Sequence, residues 1–469
     1  MSVRSAMRRL PGTGVPDVPS APAVVGTAAL IAIAFGMALP GHPLASLALV
    51  ALVQLAFGAP VASLGLLLVL TAIVPFDVQN RLAFMGGDDA PGLLLADVLV
   101  ALGLLRLVLL VRSRRLRVER PLVVAVLLGL VLAAFLAEGV LRGADLSDAG
   151  HEARRLGMGI AGFLLAWPIL GDRSARRRLY GVLLGLGVAL GVWGLAQWFF
   201  SVDFGSGADV GVRPGVDLTS SGRGSLQGGL YAFPVAVTLA FAALVSRRVR
   251  SVEVRGVLLA ILLMNGLCLL LTYERSFWVA TAVACGLAAL RLGPEARRAA
   301  LVWGAAGLAT LLLALGALGE LRTAGERLAS VTEYGVDNSV EYRQVESRVV
   351  IDAIEERPFF GSGLGATITW GKQNTFGTQT TPFSHIGYLW LAWKLGIPAA
   401  IGLVVLFGIL VLARRPAGDE VLDLLRIGAQ ASLLALLLIS FTFPPFNAFG
   451  ITAVMGVLAA ACLQPRPDP

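Results

Sequence analysis

The chain has 469 residues, of which 57% are hydrophobic and only 14% are charged, and its mean hydropathy is +0.79. This composition excludes a soluble globular protein and indicates a chain whose solvent is lipid. A net charge of +8 is compatible with a nucleic-acid binder, but the arginines fall in short clusters between apolar runs, where they are typical of membrane topology signals.

Apolar runs long enough to cross about 30 Å of hydrocarbon follow one another along the chain. We predict an all-α fold, a polytopic transmembrane helix bundle of about 12 to 14 spans, with one long outer-side loop that contains an amphipathic helix. The candidate spans are 22–39, 44–58, 60–75, 92–111, 121–138, 156–171, 179–199, 228–246, 256–272, 276–291, 300–319, 386–412, 427–441 and 448–463.

These spans divide the chain into five segments. We expect residues 1–21 to form a basic cytoplasmic tail rather than a signal peptide, because no small-residue cleavage site follows them. Spans 1 to 11 occupy 22–319, a large periplasmic or extracellular loop occupies 320–385, spans 12 to 14 occupy 386–463, and a second cytoplasmic tail covers 464–469.

The distribution of charge supports this span count. If the N-terminus is cytoplasmic, every even-numbered span should deliver a basic loop to the cytoplasm. The basic segments 112–120, 172–178, 246–255, 291–298 and 413–420 all obey this alternation. The same alternation predicts that the polar segments 76–91, 139–155, 200–227 and 320–385 lie outside.

The loop 320–385 is unusually long for a connection between spans, and loops of this length are usually functional or disordered. Within it, residues 341–356 place apolar side chains on one arc at helical spacing, with Arg343 beside the arc and Arg348 on the opposite side. We expect an amphipathic helix that lies on the outer membrane face or on the helix bundle. Its apolar arc consists of Tyr342, Val345, Val349, Val350 and Ala353.

The chain has three histidines, His42, His151 and His385, and the predicted topology puts all of them outside. His385 stands where the long loop re-enters the membrane, so its imidazole is expected at a wet interface. A neutral imidazole in that position can accept a proton from a hydroxyl group. The alternative is an interface histidine that only caps a helix beside Tyr388 and Trp390.

Arginines provide a second set of candidates. Glu274 and Arg275 lie in a short turn between two apolar runs, where ionisable groups usually face a cavity or each other. Arg275 therefore either pairs locally with Glu274 or binds an anion. Arg213 and Arg223 lie in a glycine-rich outer segment whose backbone can approach a ligand closely. Several guanidinium groups converging on one site would suit a diphosphate, because each planar fork binds two oxygens at once.

The sequence predicts no metal site and no cofactor. No cluster of histidine, cysteine or carboxylate residues has metal-ligand spacing, and Asp88 and Asp89 are adjacent rather than spaced for one ion. Cys268, Cys285 and Cys462 lie inside apolar runs without the paired spacing of a disulfide framework, and we expect inert core residues.

Three segments resemble the O-antigen ligase and O-antigen polymerase family of polytopic bacterial membrane glycosyltransferases. The first is ERPFFGSGLG (356–365), which follows an arginine and a helix and precedes SHIGYLWLAWKLGIP (384–398). The second is LTYERSFWVA (271–280), and the third is GRGSLQGGLYAFPVAV (222–237).

The resemblance implies a metal-independent transfer of a glycan, with inversion, from a polyprenyl-pyrophosphate carrier to an acceptor glycan or lipid. It implies that His385 is the base and that Arg275 and Arg343 hold the pyrophosphate. We expect Arg213, Arg223, Glu274 and Tyr388 to contact substrate. The implied location is the bacterial inner membrane, with the active site facing the periplasm or the exterior. We expect the protein to be embedded in the lipid bilayer and to have no nucleic-acid partner.

Two alternatives to a ligase stay open. A polymerase of the same family would use the growing glycan as its acceptor, and sequence does not separate the two. A lipid or glycan transporter would be expected to carry ionisable residues along mid-membrane helices and to show matching broken helices in its two halves. The sequence shows no such repeat, which favours the enzyme.

Overall fold

The computed structural model describes residues 51–53, 55–74, 94–200, 230–246, 248–249, 251–322, 324–325, 338–372, 377–414 and 420–463. Both predicted tails, the predicted span 22–39, most of 44–58 and the segment 76–91 lie outside these residues, as do His42, Arg213 and Arg223. Statements about structure below refer to the described part of the chain.

The described residues form a bundle of α-helices, which confirms the predicted fold class. The helices are α1 Pro60–Ala72, α2 Leu95–Arg112, α3 Arg120–Leu141, α4 Leu146–Gly171, α5 Arg173–Phe200, α6 Ala232–Val245, α7 Val252–Leu271, α8 Arg275–Leu292, α9 Pro294–Ala317, α10 Asn338–Glu356, α11 Gly387–Leu395, α12 Ile397–Leu412, α13 Glu420–Ile439 and α14 Phe449–Leu463. A 3-10 turn at Pro445–Asn447 precedes α14. Strands β1 Ile368–Lys372 and β2 Gly377–Thr381 pair antiparallel, with Ile368 opposite Thr381, in a hairpin that the sequence analysis did not predict.

Seven of these helices are long and apolar enough to cross a membrane, namely α3, α4, α5, α7, α8, α9 and α13, and α1, α6, α12 and α14 are shorter apolar helices. Large apolar side chains on the outside of the bundle remain uncovered by protein, as at Leu130 (63% exposed) and Leu313 (75% exposed). Such surfaces are stable when lipid is the surrounding solvent. The fold is therefore that of a multi-pass membrane protein.

Helix α14 packs along α4 at the centre of the bundle, where small residues allow a close approach. A Cβ atom added to Gly456 would lie 1.9 Å from the carbonyl oxygen of Gly159, so only glycine fits there. Helix α13 packs against α6 and α8. The buried hydroxyls of Thr238 on α6 and Ser432 on α13 lie 2.7 Å apart and share a hydrogen bond.

Two of the segments predicted to be cytoplasmic, 246–255 and 291–298, each contact a third, 413–420, at one end of the bundle. Arg291 donates to the carbonyl oxygens of Ala413 (3.0 Å) and Val411 (2.9 Å), and Arg248 donates to the carbonyl oxygen of Glu420 (3.1 Å). These contacts agree with the predicted alternation of loops. The compartment that each end faces stays a prediction.

Among the described residues, parts of the chain predicted to lie outside also contact one another. Arg142 donates to the carbonyl oxygen of Gly361 (3.4 Å), and Tyr273 donates to Glu320 (2.7 Å). Helix α4 begins ten residues before the predicted span 156–171, because Asp145 caps it by accepting hydrogen bonds from the backbone of Ser147 and Asp148. Part of the predicted outer segment 139–155 is thus the first turns of this helix.

The predicted continuous span 386–412 is wrong, because the chain breaks into α11 and α12 at Gly396. This residue has φ +80°, in the left-handed region, and an added Cβ atom would lie 2.2 Å from the carbonyl oxygen of Phe359. The loop fills the break, since the backbone N–H of Ile397 donates to the carbonyl oxygen of Pro358 (2.7 Å). Non-helical backbone at a membrane boundary must be satisfied in this way by protein.

Candidate functional site

His385 and Glu346 form the central contact of the site. The Nδ1 atom of His385 lies 3.1 Å from both carboxylate oxygens of Glu346, and the backbone N–H of His385 donates to Glu346 Oε2 over 3.1 Å. The carboxylate is buried (1% exposed), whereas the imidazole is 28% exposed. Phe383 packs edge-on against the imidazole, with 5.1 Å between ring centroids. The pair therefore joins a buried acid to a ring that reaches the surface.

Glu346 belongs to α10, the amphipathic helix predicted in the long loop. Its apolar side packs on the protein core, with Val350 fully buried and Val345, Val349 and Ala353 partly buried against the same cluster. The predicted helix is confirmed, and it lies on the helix bundle beside α11. The sequence analysis missed Glu346 itself. The signal that could have revealed Glu346 is its spacing. It falls on the apolar arc of the helix, four residues after Tyr342 and three before Val349.

Arg343 lies one helical turn before Glu346 and is half-buried. Its guanidinium carbon is 5.2 Å from the centre of the Phe443 ring, within the range of a cation-π contact. Phe443 in turn packs edge-on against Phe277 of α8, with 5.3 Å between centroids. Arg348 is exposed on the other side of the helix, as predicted.

Arg275 is the first residue of α8 and is half-buried, as is Glu274. The turn before it contains Tyr273, which has φ +56°, a strained conformation for a tyrosine. The Tyr273 hydroxyl donates to Glu320 at the start of the long loop (2.7 Å), which holds the turn against that loop. Whether Arg275 pairs locally or binds an anion stays open as a prediction.

The turn from Ser440 to Asn447 contacts the elements that carry the three predicted catalytic residues. The carbonyl oxygen of Ser440 accepts from the backbone N–H of Gly387, two residues after His385 (2.9 Å). Thr442 donates to Ser276, next to Arg275 (2.8 Å). Phe443 lies under Arg343, as described above. The structure thus brings the segments of His385, Arg275 and Arg343 together around one turn.

The segment Pro358–Ala366 supports this arrangement from the other side. Its backbone N–H groups at Ser362 and Gly363 donate to the carbonyl oxygens of Trp393 (2.7 Å) and Lys394 (3.1 Å) at the end of α11. Gly363 has φ +84°, and a Cβ atom added there would lie 2.5 Å from the Cα atom of Gly139 on α3. Residues Pro358, Gly361 and Gly363 form a Pro-x-x-Gly-x-Gly pattern. This pattern therefore packs the loop against the end of α11 and against α3.

A buried ion pair fixes the end of the same segment. Lys394 Nζ lies 2.8 Å from Glu152 Oε1, and the two side chains are 0% and 2% exposed. The other oxygen of Glu152 accepts from the backbone N–H of Gly365 (2.7 Å), while Lys394 donates to the carbonyl oxygen of Ala366. Both charges thus bind the loop as well as each other. The sequence analysis did not identify this pair.

Among the remaining predicted substrate-binding residues, Tyr388 is half-buried on α11. Its hydroxyl donates to the carbonyl oxygen of Leu437, and its ring packs edge-on against Phe441. Arg213 and Arg223 lie outside the described residues. Within the described part of the chain, no group of three or more His, Cys, Asp or Glu residues is placed to hold a metal ion.

The apolar helices of membrane-spanning length define a multi-pass membrane protein. At one end of its bundle, the long loop forms a polar site around the Glu346–His385 pair. The model of the O-antigen ligase family matches residues 259–404. This match covers less than a third of the chain and confirms the predicted resemblance to that family. No curated protein matches the chain.

The family match includes Arg275, Arg343, Glu346 and His385 together with the Pro358–Ala366 segment. It ends before the turn at Ser440–Asn447 that these elements contact. The match supports, at the level of the family, a membrane glycosyltransferase of the O-antigen ligase type.

Proposed function

We propose that the protein transfers a glycan from a polyprenyl-pyrophosphate carrier to an acceptor hydroxyl on the outer side of the bacterial inner membrane, as an O-antigen ligase does. The observation that carries the proposal is the partly exposed His385 imidazole held against a buried carboxylate, on a loop whose helix also carries Arg343. A general base needs an accessible nitrogen, and a partly exposed base in the same loop as an arginine suits transfer between two polar groups.

In the proposed reaction His385 accepts the proton of the acceptor hydroxyl as its oxygen attacks the anomeric carbon of the glycan. The new bond joins the acceptor oxygen to that carbon, and the bond between the same carbon and the phosphate oxygen breaks. The electron pair of the broken bond leaves with the polyprenyl pyrophosphate. Arg275 and Arg343 stabilise the charge that develops on this leaving group.

We further propose that the reaction needs no divalent cation, since guanidinium groups can neutralise a diphosphate directly. Arg213, Arg223, Glu274 and Tyr388 stay proposed substrate contacts, with the arginines of the glycine-rich segment on the donor. The acceptor is a glycan or a lipid.

The test is a set of variants of purified protein, assayed for both donor binding and glycan transfer. His385→Ala should abolish transfer and leave donor binding nearly intact, because a base contributes about 10²- to 10⁴-fold to the rate and little to ground-state affinity. Arg275→Ala and Arg343→Ala should weaken both, each by about one to two decades in affinity, as expected for the loss of roughly 1.5 to 3 kcal/mol from a charge-assisted bond.

Arg348→Ala is the matched control, because Arg348 is exposed on the opposite side of the helix that carries Arg343. It should bind and transfer as the unaltered protein does. Arg275→Lys should restore only part of the activity, since a point charge cannot reproduce a two-oxygen contact. Near-normal transfer by a correctly folded His385→Ala variant would exclude His385 as the base and make Glu274 the next candidate.

Supplying the donor without a separate acceptor distinguishes ligation from polymerisation. A ligase should release little product under these conditions, whereas a polymerase should lengthen the glycan on its carrier.

A further inference from the structure

We propose that Glu346 is a positioning residue for the base, and this inference rests on the proposed function of His385. It sets which imidazole nitrogen carries the proton and balances the positive charge that the ring gains during transfer. Glu346 and His385 are far apart in the sequence, on α10 and two residues before the first residue of α11, and meet only in the folded loop.

The first step of the argument is the direction of the hydrogen bonds. An ionised carboxylate has no proton to donate, so the Nδ1 atom of a neutral His385 must carry the hydrogen that lies between them. In that tautomer the lone pair is on Nε2, on the side of the ring away from Glu346. The contact therefore assigns Nε2 as the atom that receives the acceptor proton.

The second step is the double attachment. Glu346 accepts one hydrogen bond from the ring and a second from the backbone N–H of the same residue, each over 3.1 Å. Two bonds to one residue fix both the main chain and the rotation of the ring, which a single contact would leave free. The edge-on ring of Phe383 limits the imidazole further.

The third step is burial. A carboxylate that is only 1% exposed is costly to hold unless its oxygens are hydrogen-bonded, and it interacts more strongly with a nearby charge than an exposed one would. When His385 gains a proton, the resulting imidazolium lies directly against this negative charge. The pairing of a buried acid with a base histidine follows the same physical logic as the acid of a catalytic triad.

A purely structural role for Glu346, in which it only ties α10 to α11, makes different predictions. Such a role depends on hydrogen-bond acceptors and is indifferent to charge. Glu346→Gln keeps one acceptor oxygen and nearly the same volume but removes the charge, so it separates the two roles. Glu346→Asp keeps the charge on a side chain shorter by one methylene group. Glu355→Gln is the matched control, because Glu355 is exposed on the same helix.

The experiment measures the transfer rate at saturating donor and acceptor, the donor dissociation constant, and the thermal unfolding midpoint of each variant in the same detergent. Glu346→Gln should lower the transfer rate by at least about 10²-fold, with donor affinity and unfolding midpoint close to those of the unaltered protein. Glu346→Asp should recover part of the lost rate. Glu355→Gln should behave as the unaltered protein.

Two results would overturn the inference. One is a Glu346→Gln variant that transfers within about threefold of the normal rate, which is too small a change for a base that has lost its partner. The other is a loss of donor affinity or of folded protein that parallels the loss of rate, with no recovery in Glu346→Asp. If His385→Ala is inactive in either case, the proposed function stands and only the role of Glu346 fails.

Discussion

The buried pair of Glu152 and Lys394 allows the sharpest test of how the loop is held. The two side chains are 2% and 0% exposed, their charged atoms lie 2.8 Å apart, and each also binds the backbone of the loop. Removing one partner leaves the other charge buried and uncompensated, which typically costs about 3 to 5 kcal/mol. Lys394→Met should therefore destabilise the protein by about this amount, although methionine preserves most of the side-chain volume.

The double variant Glu152→Gln/Lys394→Met removes both charges and keeps an acceptor for the Gly365 N–H. Replacing a buried ion pair by uncharged groups of similar size is often nearly neutral, so the double variant should be more stable than Lys394→Met alone. The control is Glu138→Gln in the pair Glu138–Arg142, whose side chains are 24% and 35% exposed. That pair is solvent-screened and should contribute no more than about 1 kcal/mol.

Denaturant unfolding in a mild detergent, followed by tryptophan fluorescence, measures these differences. Glycan transfer should fall together with stability in Lys394→Met, because the ion pair anchors the segment that docks beneath His385's helix. Equal effects of Lys394→Met and Glu138→Gln would refute the reasoning, as would a double variant Glu152→Gln/Lys394→Met that is no more stable than Lys394→Met alone.

Three further outcomes are expected. Gly363→Ala should destabilise the docked loop and abolish transfer, because the added Cβ atom would lie 2.5 Å from the Cα atom of Gly139. Gly129→Ala is the control and should be harmless, because a Cβ atom added there meets nothing within 4 Å. Thermal unfolding of both variants checks this. Reporter fusions after Arg177 should be cytoplasmic and fusions near Asn338 external, and a cytoplasmic signal from Asn338 would contradict the proposed side of the site. Transfer should persist in EDTA, and activity lost to chelator and restored by magnesium or manganese would exclude activation by arginines alone.

The helices were predictable because the membrane restricts the secondary structure that an apolar segment can adopt. A run of about 20 apolar residues has few alternatives to a spanning helix, and the positive-inside rule ties each loop to the next. Most described helices accordingly overlap predicted spans, although the span 386–412 is two helices and α4 begins ten residues early. The loop helix was predictable for a similar reason, since Val345, Val349 and Ala353 recur at helical spacing.

The break at Gly396 and the partner of His385 could not be read from the same signals. Hydropathy is continuous across Gly396, and only the docked backbone of Pro358 and Phe359 shows why a helix must stop there. Glu346 falls on the apolar arc of its helix, but hydropathy alone did not identify it because a carboxylate on an amphipathic helix is normally assigned to the polar side. Its burial depends on a contact with His385 that is formed between distant parts of the chain.

The charges brought together by these contacts suit the two halves of the proposed reaction. A diphosphate that joins a polyprenol to a sugar carries two negative charges, and Arg275 and Arg343 supply two positive ones. At the other end of the reacting bond, His385 gains one positive charge as it takes the proton, and Glu346 supplies one negative charge. Because the turn at Ser440–Asn447 contacts the segments of His385, Arg275 and Arg343, these groups would be oriented before substrate arrives, as stabilisation of a transition state requires.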